Sequence, residues 1–279
     1  MPGKAIPVDL RPYRGEVSAR FAGPVFGAAL REFLSSGDAP AAEILLDGRN
    51  RVVAMSLPDA AGLSVPVVVK EFRLRGLKKA ISFARKSKAA KAWRGALALT
   101  ENGFLTPLPV AYIDKRRGGL IVRSLFIAER VSGGREIRDL FRESSEADLR
   151  ILLGRLAPLL RRFHDAGLVH RDLSDGNILV LSAPRGVQEL SFLDTNRVRR
   201  RKRVGSFGRA RGLVRLGVPG NFQPDFLKMY AGAPAGPDAP PLGRLFAFWY
   251  RLGKRTFSRW IRIKKALRLG KIARALRIQ

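Results

Sequence analysis

The part of the sequence that most constrains the fold lies just beyond the middle of the chain. Apolar residues recur at helical spacing from about Glu146 to Asp165, with Ser145 in the N-cap position and Gly167 where a C-terminal glycine belongs. Two strand-like runs follow, LVHRDLSDGNILVL and ELSFLDTN, which are joined by residues 182–187. The succession predicts a long amphipathic helix and then a β-hairpin.

Polar side chains suited to a metal-bound phosphate lie at set positions around this hairpin. Asp172 and Asn177 are five residues apart, and Asp194 follows the second strand, seventeen residues after Asn177. Phosphoryl transfer needs a carboxylate to accept the proton of the acceptor hydroxyl, and it needs oxygen ligands for Mg²⁺. The segment HRDLSDGN fits H-R-D-L-x-x-x-N, the catalytic-loop motif of protein kinases. We therefore predict Asp172 next to the acceptor and Asn177 and Asp194 on the metal.

Strand-like runs dominate the first half of the chain. They are AEILLDGRNRVVAMSL, VPVVVKEF, TPLPVAYID and GLIVRSLFIAERV, with helical spacing over 78–100. Lys70 ends VPVVVK and resembles the strand lysine that pairs the α- and β-phosphates of ATP. Glu129 and Val131, before a Gly-Gly connector, occupy the place of a hinge whose backbone binds adenine, although burial in an edge strand explains them equally well.

This order of elements predicts an α+β fold. Together with the kinase-type catalytic loop, it predicts a two-lobed protein-kinase-like architecture. We expect an N-terminal antiparallel sheet lobe with one helix over 1–131 and a mainly helical lobe with the catalytic loop over 132–230. A Pro/Gly-rich linker would span 231–243, and a basic amphipathic helical tail would span 244–279. No apolar run approaches the roughly 18 residues of a spanning helix.

Two parts of a kinase site are weak in this sequence. No G-x-G-x-x-G is present, and the only candidate for a loop over the phosphates is the turn at residues 48–51. The helix over 78–100 offers no glutamate to pair with Lys70, because Ala92 and Trp93 occupy its middle. Either another acid pairs with Lys70 or the lysine binds phosphate without one.

The net charge of +30 is concentrated in three segments that contain no acidic residue. Residues 73–94 and 195–224 each hold nine Lys and Arg, residues 242–279 hold twelve, and the rest of the chain is neutral. Such charge predicts an anionic partner, and a solvated surface is the alternative. Cysteine is absent and only two histidines occur, so disulfides, thiolate metal sites and histidine-based zinc sites are not expected.

Several stretches together resemble the lipopolysaccharide core kinases of Gram-negative bacteria, protein-kinase-like enzymes that phosphorylate Kdo or heptose sugars. They are VVVKEF, KSKAAKAWRGALALTENGFLTPLPVAYID, LFIAERV, HRDLSDGNILV and FLDTNRVR, within roughly residues 45–230. The resemblance implies ATP and Mg²⁺ as cofactors, Asp172 as catalytic base, Asn177 and Asp194 as metal ligands and Lys70 as the phosphate lysine. It also implies a cytoplasmic enzyme, peripheral on the inner membrane, whose substrate is the lipopolysaccharide core or a lipid A precursor.

The C-terminal tail predicts contact with an anionic membrane surface. On a helical wheel its apolar and basic residues fall on opposite sides, as in helices that lie in a membrane interface. The apolar side holds Leu245, Trp249, Leu252, Thr256, Trp260, Ile263 and Leu267. Packing of this stripe on the protein core is a nearly equal alternative.

Other functions of the same fold remain open at this point. One is a small-molecule kinase of the aminoglycoside or choline type, which the charge disfavours. A second is a protein kinase, which the missing Ala-Pro-Glu after Asp194 disfavours. The last is an inactive scaffold that binds anionic lipid or nucleic acid. Nucleic acid is not expected, because few aromatic residues interleave with the basic runs at 73–94 and 195–224.

Overall fold

A computed structural model describes residues 5–36, 42–73, 83, 85–182, 188–232 and 242–276, with the side chains of residue 188 and of residues 264–276 left aside. The chain forms two compact units. The first comprises Met1–Arg135 and Leu179–Arg199, and the second comprises Glu136–Ile178 and Arg200–Gln279.

The helices and strands of the described residues are numbered here in chain order. The strands are β1 (Ala5–Leu10), β2 (Tyr13–Ser18), β3 (Glu43–Asp47), β4 (Arg51–Pro58), β5 (Ser64–Glu71), β6 (Pro109–Arg117), β7 (Leu120–Glu129), β8 (Arg135–Glu136), β9 (Leu168–His170), β10 (Ile178–Ser182), β11 (Gln188–Phe192) and β12 (Val198–Arg200). The α-helices are α1 (Pro24–Ser36), α2 (Lys88–Glu101), α3 (Ile137–Glu143), α4 (Glu146–Asp165), α5 (Ser206–Leu213), α6 (Gln223–Gly232) and α7 (Arg244–Leu276).

A seven-stranded sheet forms the first unit, in the order β1-β2-β6-β7-β5-β4-β3. All of its neighbouring strands are antiparallel. Successive side chains of a strand point to opposite faces, so Val65, Val67 and Val69 of β5 all enter the core. The same alternation sends Lys70 to the other face of the strand.

Helix α1 and strands β1 and β2 were not predicted from the sequence. The helix packs Phe26, Leu30, Phe33 and Leu34 into the core of the first unit, where they join residues of the sheet. The first unit therefore contains two described α-helices, α1 and α2, whereas the sequence predicted one helix in the N-terminal lobe. The strands escaped prediction because proline, glycine and charged residues interrupt their apolar alternation.

The predicted helix over 78–100 is present from Lys88 to Glu101 as α2, and residues 74–82 and 84 lie outside the described part of the chain. The side chain of Ser87 caps it, since its Oγ accepts a hydrogen bond from the amide of Ala90 at 2.8 Å. Trp93 is fully buried.

The predicted hairpin forms β10 and β11, with its turn at 183–187 outside the described residues. Residues 179–199 belong to the first unit rather than to the predicted C-terminal lobe. The rings of Phe104 and Phe192 meet edge to face at 6.1 Å, and the Thr106 hydroxyl donates to the Phe192 carbonyl at 2.8 Å. These contacts attach the end of β11 to the first unit, so Asp194, which follows β11, lies in the same unit as Lys70.

The long amphipathic helix of the second unit is confirmed. Helix α4 has the predicted bounds, its N-cap Ser145 accepts a hydrogen bond from the amide of Asp148 at 3.2 Å, and Gly167 follows it with φ +73°. That backbone conformation suits glycine, since other residues are strained there. The helix buries one face, formed by Leu149, Leu152, Leu153, Leu156, Leu160 and Phe163.

Helix α7 packs within the second unit through a different stripe from the predicted one. Phe246 and Tyr250 are buried, and the ring of Tyr230 stacks on Phe246 at 5.5 Å. The predicted stripe lies one residue away around the helix, and its Trp260 is 50% exposed. The segment FAFWY places aromatic residues on several sides of the helix, so periodicity alone did not select the buried side. Most of the predicted linker, residues 233–241, lies outside the described residues.

Among the helices that the structure describes, none is long and apolar enough to pass through a bilayer.

Candidate active site

A cavity of about 270 Å³ in the first unit brings together four of the six predicted site residues. Lys70, Glu129, Val131 and Asp194 all line it. Its other walls are mainly apolar and come from the sheet and the hairpin: Val52, Val68, Phe126, Ala128, Leu179 and Leu193. An apolar slot with a few charged groups at one end is the usual form of a small-ligand site.

Lys70 has an acidic partner, although no helix glutamate supplies it. Its Nζ lies 2.6 Å from Oδ1 of Asp194, and the two residues are 124 positions apart in the chain. The ammonium group also lies 5.5 Å from the ring centre of Phe72. The acid that the sequence analysis could not locate is thus Asp194 itself.

Asp194 adopts a backbone conformation that is rare for residues other than glycine. Its φ is 48° and its ψ is 47°, in the left-handed region. The side chain is held by Asn196, whose Nδ2 donates to Oδ1 at 2.6 Å, while Nε of Arg197 lies 3.8 Å from Oδ2. Unusual conformations of this kind persist where neighbouring contacts enforce them, and they concentrate at functional sites.

Thr195 ties the Asp194 turn to helix α2. Its hydroxyl donates to the carbonyl of Ala92 at 2.9 Å, and a Cβ on Gly95 would lie 2.0 Å from the Thr195 carbonyl oxygen. Only glycine permits this approach of the two backbones. Thr195 and Gly95 were missed by the sequence analysis, although a glycine inside a helix is a signal of such a close approach.

Glu129 is the last residue of strand β7, Val131 lies two residues further on, and both line the cavity. The amide of Glu129 donates to the Leu108 carbonyl at 2.9 Å, and its carboxylate accepts from Arg20 at 2.8 Å. Both groups are therefore engaged within the first unit. A backbone contact to a ligand here would use the Glu129 carbonyl or the backbone of Val131.

Asp172 and Asn177 lie in the second unit, on the loop after β9. Nδ2 of Asn177 donates to the Asp172 carbonyl at 2.7 Å and to Oγ of Ser174 at 3.1 Å, and the Asp172 amide donates to Nδ1 of the buried His170 at 3.2 Å. These bonds fix the loop from within. The amide oxygen of Asn177, the atom that can bind a metal, takes no part in these bonds.

An arginine that the sequence analysis did not single out contacts the Asp172 carboxylate. Nη1 of Arg215 lies 2.8 Å from Oδ1 of Asp172. The guanidinium of Arg215 is also 5.5 Å from the ring centre of Phe257, on α7. Because 43 residues separate Asp172 from Arg215, no local motif could have indicated the pair.

Asp194 and Asn177 each offer an oxygen donor of the kind that Mg²⁺ takes in phosphoryl-transfer sites. No group of three or more His, Cys, Asp or Glu side chains forms a metal cage within the described ranges. Mg²⁺ in phosphoryl-transfer sites takes only one or two protein carboxylates, with water and phosphate oxygens as its other ligands. The carboxylate of Asp194 and the amide of Asn177 are donors of this kind.

The sheet with its strand lysine, the hairpin ending in Asp194 and the helical second unit define a protein-kinase-like fold, which confirms the predicted fold class. A model of the lipopolysaccharide kinase (Kdo/WaaP) family matches residues 78–219. The chain belongs to this family, and the resemblance drawn from its motifs is confirmed.

Two relatives and one solved structure show how far the similarity extends. Proteins of Stenotrophomonas maltophilia strains K279a and R551-3, both described as 3-deoxy-D-manno-octulosonic acid kinase, are 33% identical to this chain over 124 residues. The matches cover 42% of this chain, which spans 43% of the length of these curated relatives. The structure of WaaP in complex with acyl carrier protein aligns with a TM-score of 0.54 at 19% identity, over 81% of this chain and 95% of that one.

Proposed function

We propose that this protein is an ATP-dependent phosphotransferase that phosphorylates a sugar hydroxyl, of Kdo or heptose, in the lipopolysaccharide core. Membership of the Kdo/WaaP family supports a kinase that acts in lipopolysaccharide biosynthesis. The observation that carries the proposal is the contact of Lys70 with Asp194 at 2.6 Å in an otherwise largely apolar cavity. A phosphate-binding cation and a metal-binding anion are the two charges that a kinase needs at the end of its nucleotide slot.

The cavity of the first unit is the proposed nucleotide site. ATP bound with Mg²⁺ would supply the phosphoryl group. The apolar walls, with Val52, Val68 and Leu193 among them, would enclose the adenine, and Glu129 and Val131 would meet its edge through backbone groups. Lys70 would bind the phosphates, and Asp194 and Asn177 would ligate the metal.

Asp172 is the proposed catalytic base. Its carboxylate would accept the proton of the acceptor hydroxyl, and positioning of that hydroxyl would supply most of its effect. Arg215, which holds the Asp172 carboxylate at 2.8 Å, is proposed as a positioning residue. The hydrogen bonds of Asn177 and His170 to the same loop would limit its movement further.

The proposed setting is the cytoplasmic face of the inner membrane, with the lipopolysaccharide core or a lipid A precursor as substrate. Helix α7 supports membrane contact because Leu245, Trp260 and Ile263 are exposed on it. Its acid-free sequence adds basic side chains that anionic lipid would attract.

The decisive experiment is a transfer assay with labelled ATP and Mg²⁺. Purified protein is offered lipopolysaccharide precursor lipids, an aminoglycoside or casein as acceptor, and the labelled product is analysed by mass spectrometry. We expect label on a Kdo or heptose of the lipid alone. Label on the aminoglycoside or casein would assign another acceptor, and the absence of both transfer and a thermal shift with Mg²⁺-ATP would indicate a scaffold.

A further inference from the structure

A second cleft, of about 580 Å³, lies in the second unit beside the Asp172 loop. It is named here the arginine cleft because four arginines line it: Arg171, Arg201, Arg203 and Arg211. Arg171 directly precedes Asp172 in the chain. The cleft is therefore built partly from the loop that carries the proposed catalytic base.

None of the four arginines has an acidic partner among the residues that the structure describes. No carboxylate lines the arginine cleft, and within the described part of the chain none of the four guanidinium groups forms an ion pair. Other arginines of the same unit behave differently, since Arg138 pairs with Asp175 at 3.0 Å and Arg209 pairs with Asp165 at 2.6 Å. Like charges gathered without counter-ions repel one another, so a cleft of this composition favours an anion from outside the chain.

The shape of the arginine cleft admits more than a small ion. Gly208 and Gly212 of α5 line it without side chains. The volume falls in the range of sites for ligands as large as a sugar. Guanidinium groups bind phosphate through paired, charge-assisted hydrogen bonds, and four of them exceed what a single carboxylate would need.

We propose that the arginine cleft binds a phosphate group already present on the acceptor. The substrate is then a phosphorylated saccharide, and one of its free hydroxyl groups reaches Asp172. The inference rests on the proposed function, because it assigns the acceptor of the same transfer reaction. The shared chemistry is a phosphate monoester, which a soluble sugar phosphate or a lipid headgroup can supply.

A matched pair of variants tests this inference in the full-length protein. The cleft variant is Arg201→Gln with Arg203→Gln, and the control is Arg142→Gln with Lys228→Gln, which removes the same charge from exposed positions on α3 and α6. Binding of inorganic phosphate is measured by calorimetry with a non-hydrolysable ATP analogue and Mg²⁺ present, so that the nucleotide site is filled. We expect the Kd for phosphate to rise at least about tenfold in the cleft variant, because two charge-assisted hydrogen-bonding groups are lost. In the control it should rise less than about twofold.

Two further measurements separate the sources of the phosphate. Binding to phosphatidylcholine vesicles with and without phosphatidic acid tests a lipid headgroup. The KM for lipopolysaccharide precursor, before and after phosphatase treatment, tests a phosphate on the sugar. A selective rise in KM for the cleft variant that disappears after phosphatase treatment supports the inference. A selective loss of vesicle binding without a change in KM would place the phosphate on a separate membrane lipid and overturn the assignment to the acceptor.

Equal behaviour of the cleft and control variants in all three assays would overturn the inference, provided that both keep the wild-type melting temperature. That outcome differs from failure of the proposed function, in which no variant and no wild-type protein transfers phosphate to any lipid. The phosphate-binding assay does not depend on turnover, so it tests the arginine cleft in either case.

Discussion

Asp172 is the residue on which the proposed chemistry depends most. Its proposed role comes from the sequence, because HRDLSDGN is a local motif whose spacing suits the reaction. Arg215 and Thr195 were not predictable, since tertiary packing brings each to its partner from 43 and 103 positions away. Motifs therefore indicated the proposed reacting groups, and they left out the residues that contact those groups.

Replacement of Asp172 by alanine tests its role. We expect Asp172→Ala to lower kcat by about 10²- to 10⁴-fold, the usual contribution of a general base. The melting temperature with Mg²⁺-ATP should still rise, because Lys70 and Asp194 remain. The assay is transfer from labelled ATP, and unchanged turnover would remove Asp172 from the reaction.

His164 predicts a loss of stability in mild acid. Burial, and then the charges of Arg209 and Arg161, lowers the pKa of His164 to about 3, and its Nδ1 lies 2.7 Å from the hydroxyl of Tyr230. The folded protein therefore keeps this imidazole neutral where the unfolded chain protonates it, below its ordinary pKa of about 6.5. Stability is unaffected by His164 above that pH and falls as the pH drops from there towards 3.

The size of this effect can be isolated with one variant. Between pH 7 and pH 5 His164 should remove about 2 kcal/mol from the free energy of unfolding, a value set by the pKa of the unfolded chain. We expect His164→Gln to lose less stability than wild type over that interval by this amount, as measured by urea denaturation at both pH values. Equal losses in the two proteins would show that His164 is not kept neutral.

At the scale of elements, helices with strong local signals were predicted correctly, whereas features that depend on tertiary contacts were not. Helix α4 was predicted to the residue because its cap, its apolar spacing and its terminal glycine agree. Helix α7 carries aromatic residues on several sides, so its buried side, with Phe246 and Tyr250, depended on the surface offered by α5 and α6. The cavity residues Glu129 and Val131 were indicated by strand order, whereas their hydrogen bonds were not.

The contact of α2 with the Asp194 turn predicts the effect of one added methyl group. Gly95→Ala places a Cβ where the Thr195 carbonyl lies, so it should shift the turn and cost about 1–3 kcal/mol of stability, as overpacking does. Nucleotide affinity should fall with it. Both are measured by thermal denaturation with and without Mg²⁺-ATP.

Gly154→Ala is the matched control for this substitution. Gly154 lies on the exposed side of α4, and its added Cβ would meet nothing within 4 Å. Alanine is favoured over glycine inside a helix, so this variant should gain about 0.5–1 kcal/mol and keep its nucleotide affinity. A similar loss in both variants would mean that the close approach at Gly95 is unimportant.

At the scale of the whole molecule, a strand-rich half followed by helices predicted the α+β class, and the motif HRDLSDGN added the kinase-like assignment. Neither signal predicted that residues 179–199 return to the first unit. Such a return depends on long-range contacts, here those of Phe192 with Phe104 and Thr106, which no short sequence pattern encodes.

The net charge of +30 predicts that membrane binding depends on salt and on lipid charge. Vesicles with 30% phosphatidylglycerol should sediment the protein at 50 mM NaCl and release most of it at about 500 mM, because screening shortens the range of the attraction. Pure phosphatidylcholine vesicles are the control and should bind little. Equal binding to the two kinds of vesicle at both salt concentrations would contradict an electrostatic contact.

The pairing of Lys70 with Asp194 sets a condition on how the nucleotide enters. If ATP without a metal bound the Lys70 ammonium through its phosphates, Asp194 would lose its nearest positive charge. The Asp194 carboxylate and the phosphates would then repel each other. A divalent cation that binds with the nucleotide cancels that repulsion. The Lys70–Asp194 pair is then replaced by two others, Lys70 with the phosphates and Asp194 with the cation. Cation and triphosphate should thus bind in concert, and each should raise the affinity of the other.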